Sequence, residues 1–157
     1  DATQYGVRPG SSDDQTKALQ RAIDEATRAQ APLALPPGVY RTGMLRLQNG
    51  TQLVGVRGAT KLVFNGGASM LQSEGAGSIG LTNITLDGGG IPLPTRRGLV
   101  HCLGGRDVRI IDCEFTIHAD HGPLKIGDTK EGAFAIRLVK ALGATRGSYD
   151  QLGRGHW

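Results

Sequence analysis

The chain has 157 residues, enough for one domain with a buried core, and 25 of them are glycine, well above the roughly 7% of average usage. No Gly-X-Y period accompanies the glycine, which excludes collagen, and with aromatic residues at 4% the core must be aliphatic. The net charge of +4 comes from scattered Lys and Arg with no basic run interleaved by aromatics, which excludes a nucleic-acid-binding stripe, and no stretch reaches the ~20 apolar residues of a membrane span.

In chain order, residues 1–10 (DATQYGVRPG) read as a short extended lead-in, with Tyr5 and Val7 alternating with polar neighbours until Pro9-Gly10. The next segment reads as an amphipathic helix from Asp13 to about Arg28. Ser12 and Gln15 have the spacing of a capping box. Asp13 and Asp14 fall in the expected first turn, where the helix dipole favours acids. Ala18, Leu19, Ala22, Ile23 and Ala26 make one apolar face.

After Ala31 the period changes from helical to alternating. PLALPPGVYRTG, MLRLQNG, TQLVGV and TKLVFNGG hold bursts of four to six residues, each ending in a turn signal such as Pro-Gly, Asn-Gly or Gly-Gly. A repeat accounts for the bursts. GSIGLTNITLDG (77–88) aligns with RDVRIIDCEFT (106–116) at an offset of 29, pairing Ile79 with Val108, Leu81 with Ile110, Asn83 with Asp112, Ile84 with Cys113 and Leu86 with Phe115. Met70 and Leu71 pair with Leu99 and Val100 at the same offset, and Leu53 and Val56 begin an earlier, degenerate copy. A unit of this length with several short strands is one coil of a parallel β-solenoid, whose apolar residues are buried only when coils stack. The fold expected is all-β, a right-handed parallel β-helix of few coils. The N-terminal amphipathic α-helix then caps the first coil, whose bare edge would otherwise invite aggregation.

The residues Asp13, Asp14, Ala18, Leu19, Gln20, Ala22 and Ile23, then Leu35, Pro36, Pro37, Gly38 and Tyr40, then Gly50, Leu53 and Gly55 carry a resemblance. The chain resembles the start of right-handed parallel β-helix proteins of the pectate-lyase-like superfamily, over roughly residues 1–117. The stretch LDGGGIPLPTRRGLVHCLGGRDVRIIDCEF is similar to twin-arginine-exported bacterial repeat proteins of unknown activity. The resemblance implies a periplasmic or secreted protein. It also implies a choice of functions, since the superfamily includes polysaccharide lyases, galacturonases, tailspikes, epimerases and non-enzymes. Asp1 rather than Met stands first, as expected of a processed chain or a fragment that has lost an export signal.

Lyases of this superfamily use Asp or Glu to hold Ca²⁺ and a Lys or Arg base, and its hydrolases use several Asp on neighbouring coils. No N-x-D followed by D-D stands in this chain, so no cofactor is expected, with Ca²⁺ needed only if the chain is lyase-like. Asp87, Asp112 and His101 are the catalytic candidates. Asp87 also reads as a turn residue, Asn83 and Asp112 as a hydrogen-bonded corner stack, and His101 as a solvent-facing strand residue. Arg96 and Arg97, in a loop lengthened by IPLPT, are candidates for binding an anionic ligand. His118, Asp120 and His121 resemble half a metal site, with Asp128 or His156 as further partners. Cys102 and Cys113 form no metal set and read as free, buried thiols, a disulfide being the alternative.

Residues 118–157 continue no copy of the repeat. KEGAFAIRLVKALG fits a helix closed by Gly143 or an alternating strand, and three origins stay open: a C-terminal cap, truncated coils, or an abnormal end, of which truncation or an abnormal end is expected. The functional expectation is an exported β-helix, monomeric or weakly oligomeric, that binds envelope or extracellular polysaccharide without a complete active site. The alternative is a polysaccharide lyase or glycoside hydrolase of acidic glycans, or its N-terminal part. A structural solenoid with no ligand is the third reading.

Overall fold

The computed structural model describes residues 1–94 and 97–116, together with the backbone of residues 148–149 and 155–156. It divides into two compact units, Asp1–His118 and Ala119–Trp157. In the second unit, β12 (Ser148–Tyr149) and β13 (Gly155–His156) pair antiparallel. The expected helix or strand over 130–143 and the histidine–aspartate cluster lie outside the described residues.

The first unit opens with a 3-10 turn, Ala2–Tyr5, and not with an extended lead-in. Asp1 caps it by accepting from Thr3 N at 2.8 Å, and Ala2 and Val7 are buried. Helix α1 runs over Thr16–Arg28, starting later than the expected Asp13. No capping box forms, because the Gln15 side chain is bound elsewhere: its Oε1 accepts from Arg8 N at 2.6 Å and its Nε2 donates to Arg8 O at 2.8 Å. Asp14 takes over the N-terminal contact, its Oδ1 accepting from Thr16 N at 3.1 Å. Leu19, Ala22, Ile23 and Ala26 form the buried stripe, with the three- and four-residue spacing of an amphipathic helix.

Eleven short strands follow: β1 (Leu33–Ala34), β2 (Gly38–Thr42), β3 (Leu45–Arg46), β4 (Thr51–Val54), β5 (Thr60–Phe64), β6 (Leu71–Glu74), β7 (Ser78–Thr82), β8 (Thr85–Asp87), β9 (Val100–Leu103), β10 (Asp107–Ile111) and β11 (Glu114–Thr116). They sort into three sheets, ordered β1-β4-β7-β10, β2-β5-β8-β11 and β3-β6-β9, and every neighbouring pair within them is parallel. Each circuit of the chain adds one strand to each wall, and successive circuits stack at the strand spacing of about 4.8 Å.

Because side chains alternate along a strand, each wall sends one column of residues inward. These columns are Leu33, Leu53, Leu81 and Ile110; Tyr40, Leu62, Leu86 and Phe115; and Leu45, Leu71 and Val100. From Leu33 to Leu86 these residues are essentially inaccessible to solvent; burying one such side chain contributes about 1.5–3 kcal/mol. The 29-residue repeat is the physical register: Val108 lies beside Ile79, Ile110 beside Leu81, Phe115 beside Leu86 and Val100 beside Leu71. The earlier copy holds at Leu53, which pairs with Leu81, but not at Val56, which lies past the end of β4 and is 46% exposed.

The first circuit leaves β1, β2 and β3 at sheet edges, and the N-terminal segment covers them. Gly10 N donates to Val39 O at 2.9 Å and Gln15 N to Arg41 O at 2.8 Å, both on β2. Thr16 Oγ1 accepts from Gly43 N at 2.7 Å. Gln20 reaches β3, where its Oε1 accepts from Arg46 N at 2.8 Å and its Nε2 donates to Arg46 O at 3.0 Å. The helix thus supplies hydrogen-bond partners that a further strand would otherwise provide.

Candidate functional site

The outward residues of β3-β6-β9 are polar except at the end of β9, where Leu103 is 51% exposed. Register sets Arg46 beside Gln72 and Gln72 beside His101. Two positions on, Gln48 follows β3 and Glu74 ends β6 beside Leu103. Gln72 Nε2 donates to Glu74 Oε1 at 2.8 Å, and Gln48 Nε2 donates to Asp24 Oδ1 of α1 at 3.2 Å. Between these rows lies an open groove of about 440 Å³ lined by Arg46, Leu47, Gln48, Asn49, Gln72, Glu74, Gly75 and Ala76. Among the described residues the Arg46 guanidinium makes no ion pair. The groove therefore offers one cation, one carboxylate and several amides that both donate and accept hydrogen bonds.

The residues singled out from the sequence do not converge. His101 lies on this wall, half-buried beside Gln72. Asp87 ends β8 on the β2-β5-β8-β11 wall. Its Oδ1 accepts from Gly89 N at 2.9 Å, its Oδ2 lies 3.6 Å from Lys61 Nζ, and its side chain is only 13% exposed. Asp112 is exposed at the corner between β10 and β11. Asp112 and Asn83 share a left-handed backbone, φ 51° and 57°, a conformation that Asn and Asp tolerate better than other non-glycine residues. The ladder bond at that corner is made by the backbone, Asn83 N donating to Ile111 O at 3.0 Å. Arg97 is exposed, with its N donating to Pro94 O at 3.1 Å. Arg96, His118, Asp120 and His121 lie outside the described residues.

Cys102 and Cys113 are free and half-buried rather than fully buried. Burial pushes both thiols up, away from the thiolate that nucleophilic chemistry needs. Cys102 is level with Ser73, a buried residue whose Oγ has no hydrogen-bond partner among the described residues. No three His, Cys, Asp or Glu side chains gather to hold a metal among the described residues; these residues do not assemble a carboxylate set for calcium. No helix of the described residues is long and apolar enough to cross a membrane.

Arg46, Gln48, Gln72 and Glu74 escaped the sequence reading. The signal was present: extending the Leu71–Val100 match by one residue puts Gln72 beside His101.

The family described as rhamnogalacturonase A/epimerase, pectate lyase-like, matches residues 1–136. The chain belongs to this family. Three parallel walls closed by short strands are the architecture expected of a pectate-lyase-like β-helix. Among solved structures the chain is similar to a presumptive glycosyl hydrolase from Parabacteroides merdae, with 18% identity and a TM-score of 0.60 over 73% of this chain and 64% of that one. It is also similar to the A-module of the mannuronan C-5 epimerase AlgE4 from Azotobacter vinelandii, with 25% identity and a TM-score of 0.57 over 73% of this chain and 37% of that one. The chain thus spans less than two thirds of the length of either. No curated protein matches it.

Proposed function

We propose that this chain is a right-handed β-helical segment of an exported carbohydrate-active protein, and that its β3-β6-β9 wall binds polysaccharide without completing an active site. One observation carries the reading: Arg46, Gln72 and His101 stand in one row across three circuits, beside a groove whose second row is Gln48 and Glu74. A row repeated at the strand spacing of about 4.8 Å suits an extended polymer. Its amides and charges suit sugar hydroxyls, and Arg46 suits an acidic sugar. Right-handedness is supported by the strong preference of parallel crossovers for that hand. Export is supported by the similarity to twin-arginine-exported repeat proteins. We take the solution state to be monomeric or weakly oligomeric.

A binding role is favoured because, among the described residues, Glu74 is the one carboxylate lining the groove, whereas glycoside hydrolysis ordinarily takes two. The family match favours a second reading, in which this wall is part of a lyase, hydrolase or epimerase site completed by other coils. The test incubates the chain with acidic and neutral polysaccharides, with and without Ca²⁺, and reads retention, reducing ends and unsaturated product together. Retention at low salt without turnover, weakened by Arg46→Ala and by Gln72→Ala, is the expected result. Reducing ends would establish a hydrolase and unsaturated product a lyase. Failure to retain any glycan at low salt, where attraction is strongest, overturns the binding reading.

A further inference from the structure

Two Asn-Gly pairs occur in the chain, Asn49-Gly50 and Asn65-Gly66, and the fold treats them differently. Both asparagines are exposed. Asn49 is tied to the next circuit: its Oδ1 accepts from Ser78 N at 2.9 Å, and the following amide, Gly50 N, donates to Ser78 O at 2.8 Å. Asn65 is tied only in part. Its own N donates to Thr42 O at 3.0 Å and its Nδ2 donates to Asp14 Oδ1 at 3.0 Å. The Gly66 amide donates no hydrogen bond among the described residues; a Cβ would meet nothing within 4 Å at either Gly50 or Gly66, so the two pairs differ in their hydrogen bonds and not in the space around the glycine.

We propose that Asn65-Gly66 is a self-modification site, at which spontaneous deamidation exchanges a hydrogen bond that holds the N-terminal cap for a contact between two carboxylates. In the step, Gly66 N attacks the Asn65 side-chain carbonyl carbon. The bond to the side-chain nitrogen breaks, and that nitrogen leaves as ammonia with the proton from Gly66 N. Solvent water then opens the cyclic imide to aspartate or to its isomer linked through the side chain. The reaction needs a free following amide and a flexible backbone, which glycine provides. At Asn49 the attacking amide must first give up its bond to Ser78 O, and the side chain its bond to Ser78 N.

The consequence falls on α1. Asp14 Oδ1 accepts from Thr16 N, the first helical residue, and from Asn65 Nδ2. After deamidation the donor is replaced by an acceptor of the same charge, and the contact changes sign. The sensor of the change is the junction between the cap and β2, where Gln15 N donates to Arg41 O.

The intact chain is held in mildly alkaline buffer at body temperature, sampled over days, digested and mapped by mass spectrometry, with a second sample in denaturant. The native chain is expected to convert Asn65 at least about tenfold faster than Asn49, a barrier difference of about 1.4 kcal/mol; the denatured chain is expected to convert the two at similar rates. Equal native rates, or faster conversion of Asn49, would overturn the assignment. Native-state hydrogen exchange over residues 14–23 then compares Asn65→Asp with Asn65→Ala. Faster exchange in Asn65→Asp than in Asn65→Ala supports the link to the cap, and equal exchange removes it.

Discussion

Gln20 holds Arg46 by both of its backbone groups, accepting from Arg46 N at 2.8 Å and donating to Arg46 O at 3.0 Å. One side chain of the cap thus acts as a one-residue strand against the edge of β3, and the residue it fixes is the cation of the groove. Gln20→Ala leaves two backbone groups on an edge strand without this partner. A loss of about 1–3 kcal/mol is expected, tempered by the access of water to an edge. Urea denaturation checks the loss. Glycan retention is expected to fall as well, because Arg46 would no longer be positioned. A variant that unfolds more easily but retains glycan unchanged would separate the cap from the binding wall.

At Gly55 neighbouring circuits approach closely. A Cβ there would meet Asn83 O at 2.6 Å and Thr60 Cβ at 2.8 Å, both well inside contact distance, and Gly55 N donates to Thr82 O at 2.9 Å. Thr60 has little room to yield, since its Oγ1 donates to Leu35 O at 3.1 Å and it is fully buried. Gly55→Ala is expected to destabilise by about 1–3 kcal/mol, as overpacking does. The midpoint of thermal unfolding measures it. An unchanged midpoint would mean that β4 and β7 separate more readily than their register suggests.

At Asn83 the backbone, not the side chain, sets the requirement. With φ at 57°, Asn83→Ala is expected to cost about 1–2 kcal/mol, the ordinary penalty of a left-handed residue bearing Cβ. Asn83→Gly is expected to cost less than Asn83→Ala. If the side chain were instead holding the corner through hydrogen bonds, both replacements would lose them, and Asn83→Gly would fall well below the natural chain instead of close to it. Comparing both variants with the natural chain in urea decides between the two.

These corners explain why the fold could be read from the chain and the site could not. Inward positions accept only apolar residues, so Leu81 and Ile110 or Leu86 and Phe115 announce their register through a shared type. Corners accept only Asn, Asp or Gly, so Asn83 and Asp112 do the same. Outward positions face water and tolerate any type, so Arg46, Gln72 and His101 share no residue type, and only the register of the neighbouring inward pair Leu71 and Val100 places Gln72 beside His101. The circuits also lengthen: the offset is 20 residues from Leu33 to Leu53, 28 from Leu53 to Leu81 and 29 from Leu81 to Ile110. Only the last two circuits keep one period, in all three walls, and the earlier half of the polar row therefore stayed hidden. The N-terminus was misread for a different reason. The spacing of Ser12 and Gln15 satisfied a local rule, but Gln15 found better partners in the backbone of Arg8, a tertiary contact with no local signature.

Asp14 makes the cap sensitive to acid. Hydrogen bonds from Thr16, and then from Asn65, hold its carboxyl below the ordinary Asp range against a smaller opposing effect of burial, with Lys17 adding attraction. A carboxyl whose folded value lies below its unfolded value contributes stability that is fully present above the unfolded value, and this is lost as pH falls through the folded one. The contribution should therefore persist at neutral pH and fade below about pH 4, the ordinary Asp range. Asp14 is exposed, so the effect is small and shrinks with salt. Asp14→Asn removes the titrating group while keeping an acceptor oxygen for Thr16 N. The expected result is a stability difference between the natural chain and Asp14→Asn that is largest at neutral pH and narrows as the solution is acidified. The measurement is the urea midpoint of both proteins across that range at low salt. A gap that stays constant with pH would mean that the carboxylate charge of Asp14 contributes nothing, and that shape alone holds the start of α1.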